Sequence, residues 1–516
     1  MPLELQYSFK MATTELGDFL ALANDFNVIP LYATLQLDRE TPVSLYQRFA
    51  NSRSIFLLES AALGKDTGRY SFIGLDRKWR VTTLNGKTVV TGTEVEDAAA
   101  RGPLEVLREL MSRYRTHIPT DLPSFFGGAV GFVTYDYVRR LERLPREDVD
   151  GMWPDIDFSF PGAVLICDHL RHSTTVVVNA LIEDGSTPEI AFNRATSQLN
   201  EIIEVLVGPS PANDPATERL VATAPSARAA IDIKALAASF SNFTKDQYCS
   251  VVERAKEYIY AGDVFQVVPS QQFKRPTNVD PLTLYRVLRS LNPSPYMYLL
   301  DTGESQIVGA SPEMLVRVHE GQVITHPIAG TRPRGIDEKQ DLEIEEEMLN
   351  DEKEISEHVM LVDLGRNDIG RVAAPGTVKV DRLAQVERFS HLMHLVSQVS
   401  GQLADGKDAF DAFNATFPAG TLTGAPKVRA MELIDEFEPV HRGPYGGALG
   451  YFSLNGEADF AITIRTLSLR NGTATVQAGG GVVADSVPEL EYQECINKAS
   501  APLLALEITD PSKKNF

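Results

Sequence analysis

The sequence predicts an α+β fold, in which layered β-sheets are flanked by helices. In the first 206 residues, strand-like runs such as "SIFLLES" and "STTVVVNAL" alternate with helical runs such as "PLEVLRELMSRYR". After residue 230, a helical start in "TKDQYCSVVERAKEYIYAGD" precedes several strands, later helices and further strands. Because strands and helices do not alternate strictly, a layered sheet is favoured over a parallel barrel.

Chain length and one change in composition predict the domain organisation. At 516 residues the chain exceeds what one hydrophobic core usually serves, so we expect two domains or one two-lobed assembly. In residues 207–230, "VGPSPANDPATERLVATAPSARAA", Pro, Ala, Ser and Thr replace any helical or strand period. We therefore predict an N-terminal α/β region over residues 1–206, a Pro/Ala-rich linker over 207–230 and a second domain over 231–516.

Charge and cysteine usage limit the classes of partner and the cellular compartment. The chain has 49 basic and 70 acidic side chains and a net charge of −21, which argues against nucleic-acid binding. Its three cysteines lie far apart without metal-type spacing, which is typical of reduced thiols. The sequence contains neither a signal-like N-terminal segment nor a run of ~18 apolar residues. We therefore expect a cytoplasmic protein that neither binds nucleic acid nor enters a membrane.

Two pairs of glutamates at helical spacing are the first candidates for chemistry. In "ELEYQECINKA", a helix starting near Pro488 places Glu491, Glu494 and Lys498 on one face. A second stretch, "NDEKEISEHVM", repeats the three-residue spacing with another pair of glutamates at positions 354 and 357. The simplest interpretation is that both pairs are solvated surface acids.

The alternative interpretation is a metal site formed by both pairs. Four acids facing one pocket would repel each other unless they were protonated or bridged by a divalent cation. Oxygen ligands alone suit a hard ion such as magnesium. This ion uses one or two carboxylates directly and completes its shell with water and substrate oxygens. The four glutamates would then divide into direct and water-mediated ligands.

Two glycine-containing segments offer backbone amides to an anion. The segment "GTLTGAPK" does not match a phosphate loop, because two residues separate its second glycine from Lys427. Pro426 instead fits the first position of a helix, so the amides of residues 421–425 could meet an anion. The run "AGGGVV" exposes further amides at residues 479–481, although tight turns explain most such runs.

Two further side chains have alternative interpretations. Arg465 falls in the strand-like, mostly apolar run "DFAITIRTL", where an unpaired guanidinium would be costly. Either a protein carboxylate or a substrate carboxylate could be its partner, and both alternatives stay open. His394 in "SHLMHLVSQV" is either a packed core histidine or a member of a site.

An ordered series of motifs carries a family resemblance. Residues 245–504 contain "AGDVFQVVPS", "NPSPYMYLL", "GASPEMLVRV", "THPIAGTRPRG", "LVDLGRNDIGRV", "GTLTGAPKVRAM", "RGPYGGALGYFS", "DFAITIRT" and "ELEYQECINKA", and the first half adds "IFLLES". Through these motifs the chain resembles the chorismate-utilising enzymes, and within them most closely the large, synthase subunits of anthranilate synthases. The resemblance makes residues 231–516 a chorismate-binding catalytic domain and lets residues 1–206 contribute to a regulatory site.

The resemblance implies a reaction, a cofactor and partners. Ammonia would add at C2 of chorismate with loss of the C4 hydroxyl, and pyruvate would then leave to give anthranilate, in the first committed step of tryptophan biosynthesis. It implies Mg²⁺, feedback inhibition by tryptophan, and ammonia from a separate glutamine amidotransferase subunit, hence a hetero-oligomer. Two alternatives stay open, an aminodeoxychorismate synthase component I and a non-catalytic, amino-acid-sensing homologue.

The resemblance also implies the roles of individual residues. Glu357 and Glu494 correspond to direct magnesium ligands, and their neighbours three residues before them, Glu354 and Glu491, to water-mediated ones. Glu313 of "GASPE" corresponds to a general acid, which would need a raised pKa. The implied catalytic residues are Glu313, His394 and Thr421, and the implied substrate contacts are Tyr445, Arg465, Gly479, Gly480, Gly481, Lys498, Ala329 and Gln266.

Within this set, the resemblance implies separate contacts for the two carboxylates of chorismate. The ring carboxylate would meet the metal, Thr421 and the glycine amides, while Arg465 and Tyr445 would hold the enolpyruvyl carboxylate. Gln266 and Ala329 stand where relatives of other specificity carry lysines. An amide cannot act as a general base and an alanine cannot act as a nucleophile, so both residues favour ammonia addition and anthranilate as the product.

A regulatory site is implied by two motifs, one from each half of the chain. "LLES" and "NPSPYM" resemble the tryptophan feedback site of the family, and their joint presence predicts that tryptophan biases how the two lobes pack. The residues of this predicted feedback site are Glu59, Ser60, Lys65, Asn292, Pro293, Ser294, Pro295, Tyr296 and Met297.

Overall fold

The computed structural model describes residues 9–12, 14–50, 53–60, 68–146, 152–183, 185–212, 214–388 and 392–510. Its strands are β1 Phe9–Ala12, β2 Val28–Leu35, β3 Ser54–Glu59, β4 Tyr70–Leu84, β5 Lys87–Thr91, β6 Gly128–Val133, β7 Ile156–Asp168, β8 Ser173–Leu181, β9 Gln266–Val267, β10 Ser270–Pro276, β11 Tyr296–Asp301, β12 Ser305–Ser311, β13 Met314–His319, β14 Gln322–Thr325, β15 Ile328–Pro333, β16 Lys379–Arg388, β17 Leu392–Gln402, β18 Gly424–Ala425, β19 Ala448–Ser453, β20 Ala458–Ile462, β21 Thr466–Arg470 and β22 Thr473–Gly479. Its helices are α1 Leu16–Leu22, α2 Pro42–Phe49, α3 Pro103–Ser112, α4 Pro188–Val207, α5 Pro215–Ala227, α6 Ile233–Phe240, α7 Lys245–Ala261, α8 Pro281–Leu291, α9 Glu338–Asn350, α10 Glu352–Gly370, α11 Ala409–Thr416, α12 Gly420–Thr423, α13 Lys427–Phe437 and α14 Pro488–Ile508.

Two series of antiparallel strands form the sheet. The first runs β1–β2–β8–β7–β4–β3–β11–β12–β21–β22–β10. The second runs β5–β4–β7–β6–β19–β20–β13–β14–β17, and β17 also pairs with β15 and β16. The long strands β4 and β7, of 15 and 13 residues, belong to both series and join them. The mixed helix and sheet architecture confirms the predicted α+β class.

The core is divided into layers by the alternation of side chains along each strand. On β7, Val164 and Ile166 enter a cluster that also holds Phe132 of β6, so this cluster lies between the two series of strands. Ala163 and Leu165, which alternate with them, pack instead in the cluster under α2, α4, α7, α8 and α14. A third cluster lies under α3, α10, α11 and α13. Helices therefore cover the outer faces of two packed layers of strands.

Local sequence accounts for the start of α14, which carries site residues, and for both ends of its neighbour α7. Helix α14 begins at Pro488, as the sequence predicts, because proline lacks the N–H that a first helical residue leaves unbonded. Helix α7 begins with a reciprocal cap between Thr244 and Gln247, and it ends at Gly262, whose φ of 86° disfavours other residues.

Among the residues that the structure describes, no helix combines the length and apolarity that crossing a bilayer requires.

The segment predicted as an irregular linker contains a helix, which corrects that prediction. The carboxylate of Asp214 accepts hydrogen bonds from the first amides of α5, and Pro215 occupies the first helical position. Helix α5 then packs on α8, where Arg286 and Glu218 form an ion pair at 2.8 Å. Composition did not reveal this helix because its apolar face is short, formed by Leu220, Val221, Ala224 and Ala227. The division of the chain at this segment stays a prediction, and strands from both sides of it pair directly in β3–β11 and β6–β19.

Candidate active site

One cavity of about 970 Å³ collects the predicted site residues. Its wall is formed by α10 on one side and α14 on the other, with β15, β17, α12 and the end of β22 between them. The residues predicted for catalysis, substrate binding and metal binding that line it are Glu313, His394, Thr421, Tyr445, Arg465, Gly479, Gly481, Lys498, Ala329, Gln266, Glu357, Glu494, Glu354 and Glu491. Gly480 lies between two of the lining glycines.

Glu313 is a buried acid in the short connection between β12 and β13. Its side chain is enclosed, and the hydroxyl of Thr421 donates a hydrogen bond of 2.9 Å to its Oε1. Burial raises the pKa of Glu313 to about 7, although the Thr421 bond and the charges of Lys498 and Arg465 act in the opposite direction. A carboxyl group with this pKa can carry a proton near neutral pH and still release it, as a general acid must.

Arg465 lies in a bend between β20 and β21, which corrects the prediction of a continuous strand. Its φ is 50°, a left-handed conformation that interrupts the ladder and turns the residue toward the cavity. Burial lowers the pKa of the guanidinium, and the nearby Glu313 counteracts this. Within the described part of the chain, no hydrogen bond or ion pair joins the Arg465 guanidinium to another side chain. Of the two partners that the sequence left open, a bonded protein carboxylate is therefore not found among the described residues.

His394 and Tyr445 line the cavity as neutral groups. The Nδ1 of His394 donates to the carbonyl oxygen of Gly330 at 3.3 Å, which leaves Nε2 as the acceptor nitrogen. Burial lowers the pKa of His394 to about 4, and the charge of Arg465 adds to this effect. Burial also raises the pKa of the Tyr445 hydroxyl above its usual value. A neutral imidazole and a neutral phenol therefore face the cavity at physiological pH.

The backbone of the glycine run at residues 479–481 lies close to neighbouring groups. A Cβ at Gly480 would lie 2.7 Å from a carboxylate oxygen of Glu491, and one at Gly481 would lie 2.2 Å from Nε2 of Gln266. Both atoms are the ends of flexible side chains that can move aside, whereas a Cβ at Gly479 would lie 2.4 Å from the backbone carbonyl oxygen of Pro269, so glycine is required at Gly479. The carbonyl oxygen of Gly479 accepts a hydrogen bond of 3.1 Å from Lys498, which fixes the run against α14.

The four predicted metal ligands face the cavity from two helices. The carboxylates of Glu354, Glu494 and Glu491 bind other side chains. Arg332 donates to Glu354 at 3.0 Å, Lys498 and Glu494 form an ion pair at 2.7 Å, and the Ser486 hydroxyl donates to Glu491 at 2.7 Å. No three acidic, histidine or cysteine side chains form a ready metal cluster in the described ranges. The oxygen-only donor set nevertheless fits a magnesium ion that takes one or two carboxylates and shares its remaining positions with water and substrate.

The two pieces of the predicted feedback site meet in the sheet. Glu59 of β3 is the register partner of Met297 of β11. The Glu59 carboxylate accepts a hydrogen bond from Tyr285, and Arg289 lies 3.4 Å from it. The Tyr296 hydroxyl donates to an aspartate of β20, which belongs to the second series of strands. Residues 292–295 form part of the cavity wall, the Ser60 hydroxyl is buried without a described partner, and Lys65 lies outside the described residues.

Sequence reasoning missed several residues that shape the site. Arg332 contacts Glu354 of α10 and the preceding Asp351, and Gln477 lines the cavity before the glycine run. Arg442 lies behind the wall and hydrogen-bonds to Glu438. Arg332 and Arg442 both lie in motifs that carry the family resemblance. The spacing of residues within those motifs does not show which groups the two arginines bind. Lys427 donates to Asp368 at 2.8 Å, which agrees with excluding a phosphate-loop role.

The chain matches known proteins along nearly its whole length. A family model described as chorismate binding enzyme matches residues 54–504. The anthranilate synthase component 1 of Acetivibrio thermocellus is 46% identical over 95% of this chain and 98% of that protein. The corresponding protein of Mycolicibacterium smegmatis is 47% identical over 96% and 94%.

Solved structures agree with these sequence matches. Anthranilate synthase component I from Streptococcus pneumoniae superposes with a TM-score of 0.72 at 36% identity, covering 91% of this chain and 98% of that one. The menaquinone-specific isochorismate synthase of Escherichia coli, at 19% identity and a TM-score of 0.66 over 96% of this chain and 99% of that one, shares the fold. On these grounds the chain belongs to the chorismate-binding enzyme family, among relatives that are anthranilate synthase component 1 proteins.

Proposed function

We propose that the chain is the synthase subunit of an anthranilate synthase, which commits chorismate to tryptophan biosynthesis. Ammonia adds at C2 of chorismate, the C4 hydroxyl leaves as water, and elimination of pyruvate then gives anthranilate. The observation that carries this proposal is the combination of Glu313, whose pKa of about 7 suits proton donation, with an Arg465 guanidinium that faces the same cavity and is bonded to no carboxylate among the described residues.

The side chains at this end of the cavity have distinct roles in the proposed reaction. Glu313 gives its proton to the departing C4 hydroxyl, while the Thr421 hydroxyl orients the carboxyl group through the 2.9 Å hydrogen bond. Arg465 and Tyr445 bind the enolpyruvyl carboxylate. His394, whose lowered pKa keeps it neutral, orients the ring or accepts a proton at Nε2. A protonated Glu313 beside a fixed cation thus protonates the substrate at a defined position.

The opposite end of the cavity is proposed to hold Mg²⁺. Glu357 and Glu494 would be its direct ligands, and Glu354 and Glu491 would bind it through water. The ion would supply positive charge against the ring carboxylate of chorismate and polarise it. The amides of the glycine run extend this positive field, which allows a protein with a net charge of −21 to accept a dianion.

Ammonia is proposed to come from a separate glutamine amidotransferase subunit. Burial raises the pKa of the Cys167 and Cys495 thiols to about 12, and burial also raises that of Cys249. None of the three is therefore a reactive thiolate of the kind that glutamine hydrolysis uses. The relatives' name, component 1, supports a second component and hence a hetero-oligomer.

Tryptophan is proposed to inhibit the enzyme at the predicted feedback site. Support comes from the direct pairing of β3 with β11, which places Glu59 beside Met297, and from the contact of Tyr296 with the second series of strands. A ligand here would contact β3 and β11 of the first series and could bias how the two series pack through the bond from Tyr296 to β20. A synthase that keeps full activity in millimolar tryptophan would refute this part of the proposal.

The aminodeoxychorismate synthase alternative is disfavoured by two cavity residues. Ala329 on β15 provides no nucleophile, and Gln266 provides an amide rather than a lysine amine. The non-catalytic alternative is disfavoured by the raised-pKa acid, since a sensor needs no proton donor. Identification of the product distinguishes all three functions.

The testing experiment measures anthranilate fluorescence with the purified chain, chorismate, Mg²⁺ and ammonium, with and without EDTA. Formation of anthranilate that stops when EDTA is added supports both the reaction and the metal. Consumption of chorismate without anthranilate would indicate another family specificity. Unchanged chorismate would favour the sensor, and activity that resists EDTA would refute the metal assignment alone.

A further inference from the structure

A buried ion pair lies directly behind the wall of the cavity. Arg442 and Glu438 are each 3% exposed, and neither lines the main cavity. The Nε of Arg442 donates to Glu438 Oε2 at 2.9 Å and Nη2 donates to Oε1 at 2.6 Å, which is a two-pronged guanidinium–carboxylate contact. The pair therefore cannot touch the substrate, and any effect on the reaction must pass through its neighbours.

The other N–H groups of Arg442 hold two segments that carry site residues. Nη1 donates to the carbonyl oxygen of Leu422 at 2.7 Å, and Leu422 directly follows Thr421 in α12. Nη2 also donates to the carbonyl oxygen of Val268 at 2.7 Å, two residues after Gln266. The short strands β9 and β18 that join these segments are paired with each other. One guanidinium thus fixes the position of Thr421 relative to Gln266.

Two further contacts connect the pair to the rest of the wall. The Arg442 guanidinium carbon lies 5.4 Å from the centre of the Tyr445 ring. Glu438 Oε1 accepts hydrogen bonds from the backbone N–H and the hydroxyl of Ser270, at 2.8 and 2.7 Å. The Ser270 hydroxyl in turn accepts from Gln477 at 2.8 Å, in the strand that leads into the glycine run.

The need for stability alone does not account for this arrangement. A buried ion pair costs desolvation, and apolar residues of similar volume often stabilise a core as well or better. What apolar residues cannot do is fix two carbonyl oxygens, an aromatic ring and a carboxylate in one geometry. We propose that Arg442 is a positioning residue, whose guanidinium sets the relative places of Thr421, Gln266 and Tyr445 around the substrate. The proposal rests on the proposed anthranilate synthase function.

The decisive variant is Arg442→Lys, which keeps the positive charge beside Glu438. A single ammonium cannot reproduce the planar fork that reaches Glu438 and both carbonyl oxygens. We expect kcat/KM for chorismate to fall roughly 100-fold with ammonium as the nitrogen source, because several positioned groups move together. The displaced Thr421 would also lose its bond to Glu313, so the basic limb of the pH–rate profile would move to higher pH.

A matched control separates positioning from stability. Arg80 forms a two-pronged pair with the buried Asp157, at 2.8 and 2.6 Å, with its own side chain 12% exposed, and it does not line the cavity. Arg80→Lys is expected to lower the melting temperature while changing kcat/KM less than about threefold and leaving the pH profile in place. If Arg442→Lys behaved like Arg80→Lys in rate and pH profile, the positioning role would be refuted.

A milder variant keeps the test decisive if Arg442→Lys does not fold. Ser270→Ala removes the hydroxyl that joins Glu438 to Gln477 without burying an unpaired charge. An unchanged melting temperature with a rise of about fivefold in the KM for chorismate would support the proposal. An unchanged KM would overturn it. Anthranilate formation by the wild-type chain, measured alongside, separates this outcome from failure of the proposed function, which would abolish that activity.

Discussion

The two ends of the cavity both contain glutamates, but the surroundings of those glutamates differ. Glu313 is enclosed, accepts one neutral hydrogen bond from Thr421 and has a pKa of about 7. At the other end, the side chains of Glu354 and Glu494 are 25% and 49% exposed and are paired with Arg332 and Lys498. Burial favours the protonated form, whereas solvent and cations favour the charged form. The surroundings of Glu313 thus suit a proton donor, whereas those of Glu354 and Glu494 suit anionic ligands.

The largest expected effect is the loss of the proton donor. Glu313→Gln keeps the size and the contact with Thr421 but cannot donate a proton, so we expect kcat to fall roughly 10³-fold with little change in the KM for chorismate. Steady-state anthranilate fluorescence measures both constants. The control is Glu343→Gln on α9, whose side chain is 63% exposed and away from the cavity. A rate within threefold of wild type for Glu313→Gln would show that the two ends do not differ as proposed.

A smaller effect is expected at the anionic end. Glu357→Gln should raise the Mg²⁺ concentration for half-maximal activity by about 100-fold or more, because it removes a direct ligand of the ion. Glu354→Gln, at the proposed water-mediated position, should raise it by about tenfold. Titration of magnesium against anthranilate formation measures both values. The assignment of inner and outer ligands would be wrong if the two variants had the order reversed.

A third prediction concerns Arg465, the cation near Glu313. Arg465→Lys keeps the charge but loses the planar fork, so we expect the KM for chorismate to rise about tenfold and kcat to change less. Binding of chorismate in the absence of ammonium, followed by calorimetry, should weaken by a similar factor. If the variant and the wild type bound chorismate with equal affinity, Arg465 would not contact the substrate and would only stabilise the bend between β20 and β21.

The smallest predicted effect is a shift in pH dependence. Glu313 must be protonated to act, so kcat/KM should decline as pH rises through its pKa of about 7. Thr421→Val removes a hydrogen bond that lowers this pKa, so the decline should move to higher pH. Rates are compared at a constant concentration of free NH₃, since ammonia itself becomes more abundant as pH rises. A shift to lower pH would contradict the proposed function of the Thr421 contact.

Residue patterns predicted much of the fold and part of the site. Helix spacing placed Glu491 and Glu494 on α14 correctly, and strand patterns gave the mixed α+β class, because both depend on local periodicity. The bend at Arg465 was missed because an apolar run does not show where a φ of 50° interrupts it. The raised pKa of Glu313 and the pair formed by Arg442 and Glu438 depend on long-range burial, which no local spacing encodes.

The pairing of β3 with β11 and of β6 with β19 has a consequence for modularity. Each of these N-terminal strands hydrogen-bonds a strand from beyond residue 230. A fragment of residues 231–516 would therefore carry two bare strand edges, and such edges promote aggregation. Co-expression with residues 1–230 should restore solubility, which pull-down of the tagged halves can check. The two parts of the chain therefore could not be exchanged independently in evolution, because strands from residues 1–230 pair directly with strands from residues 231–516.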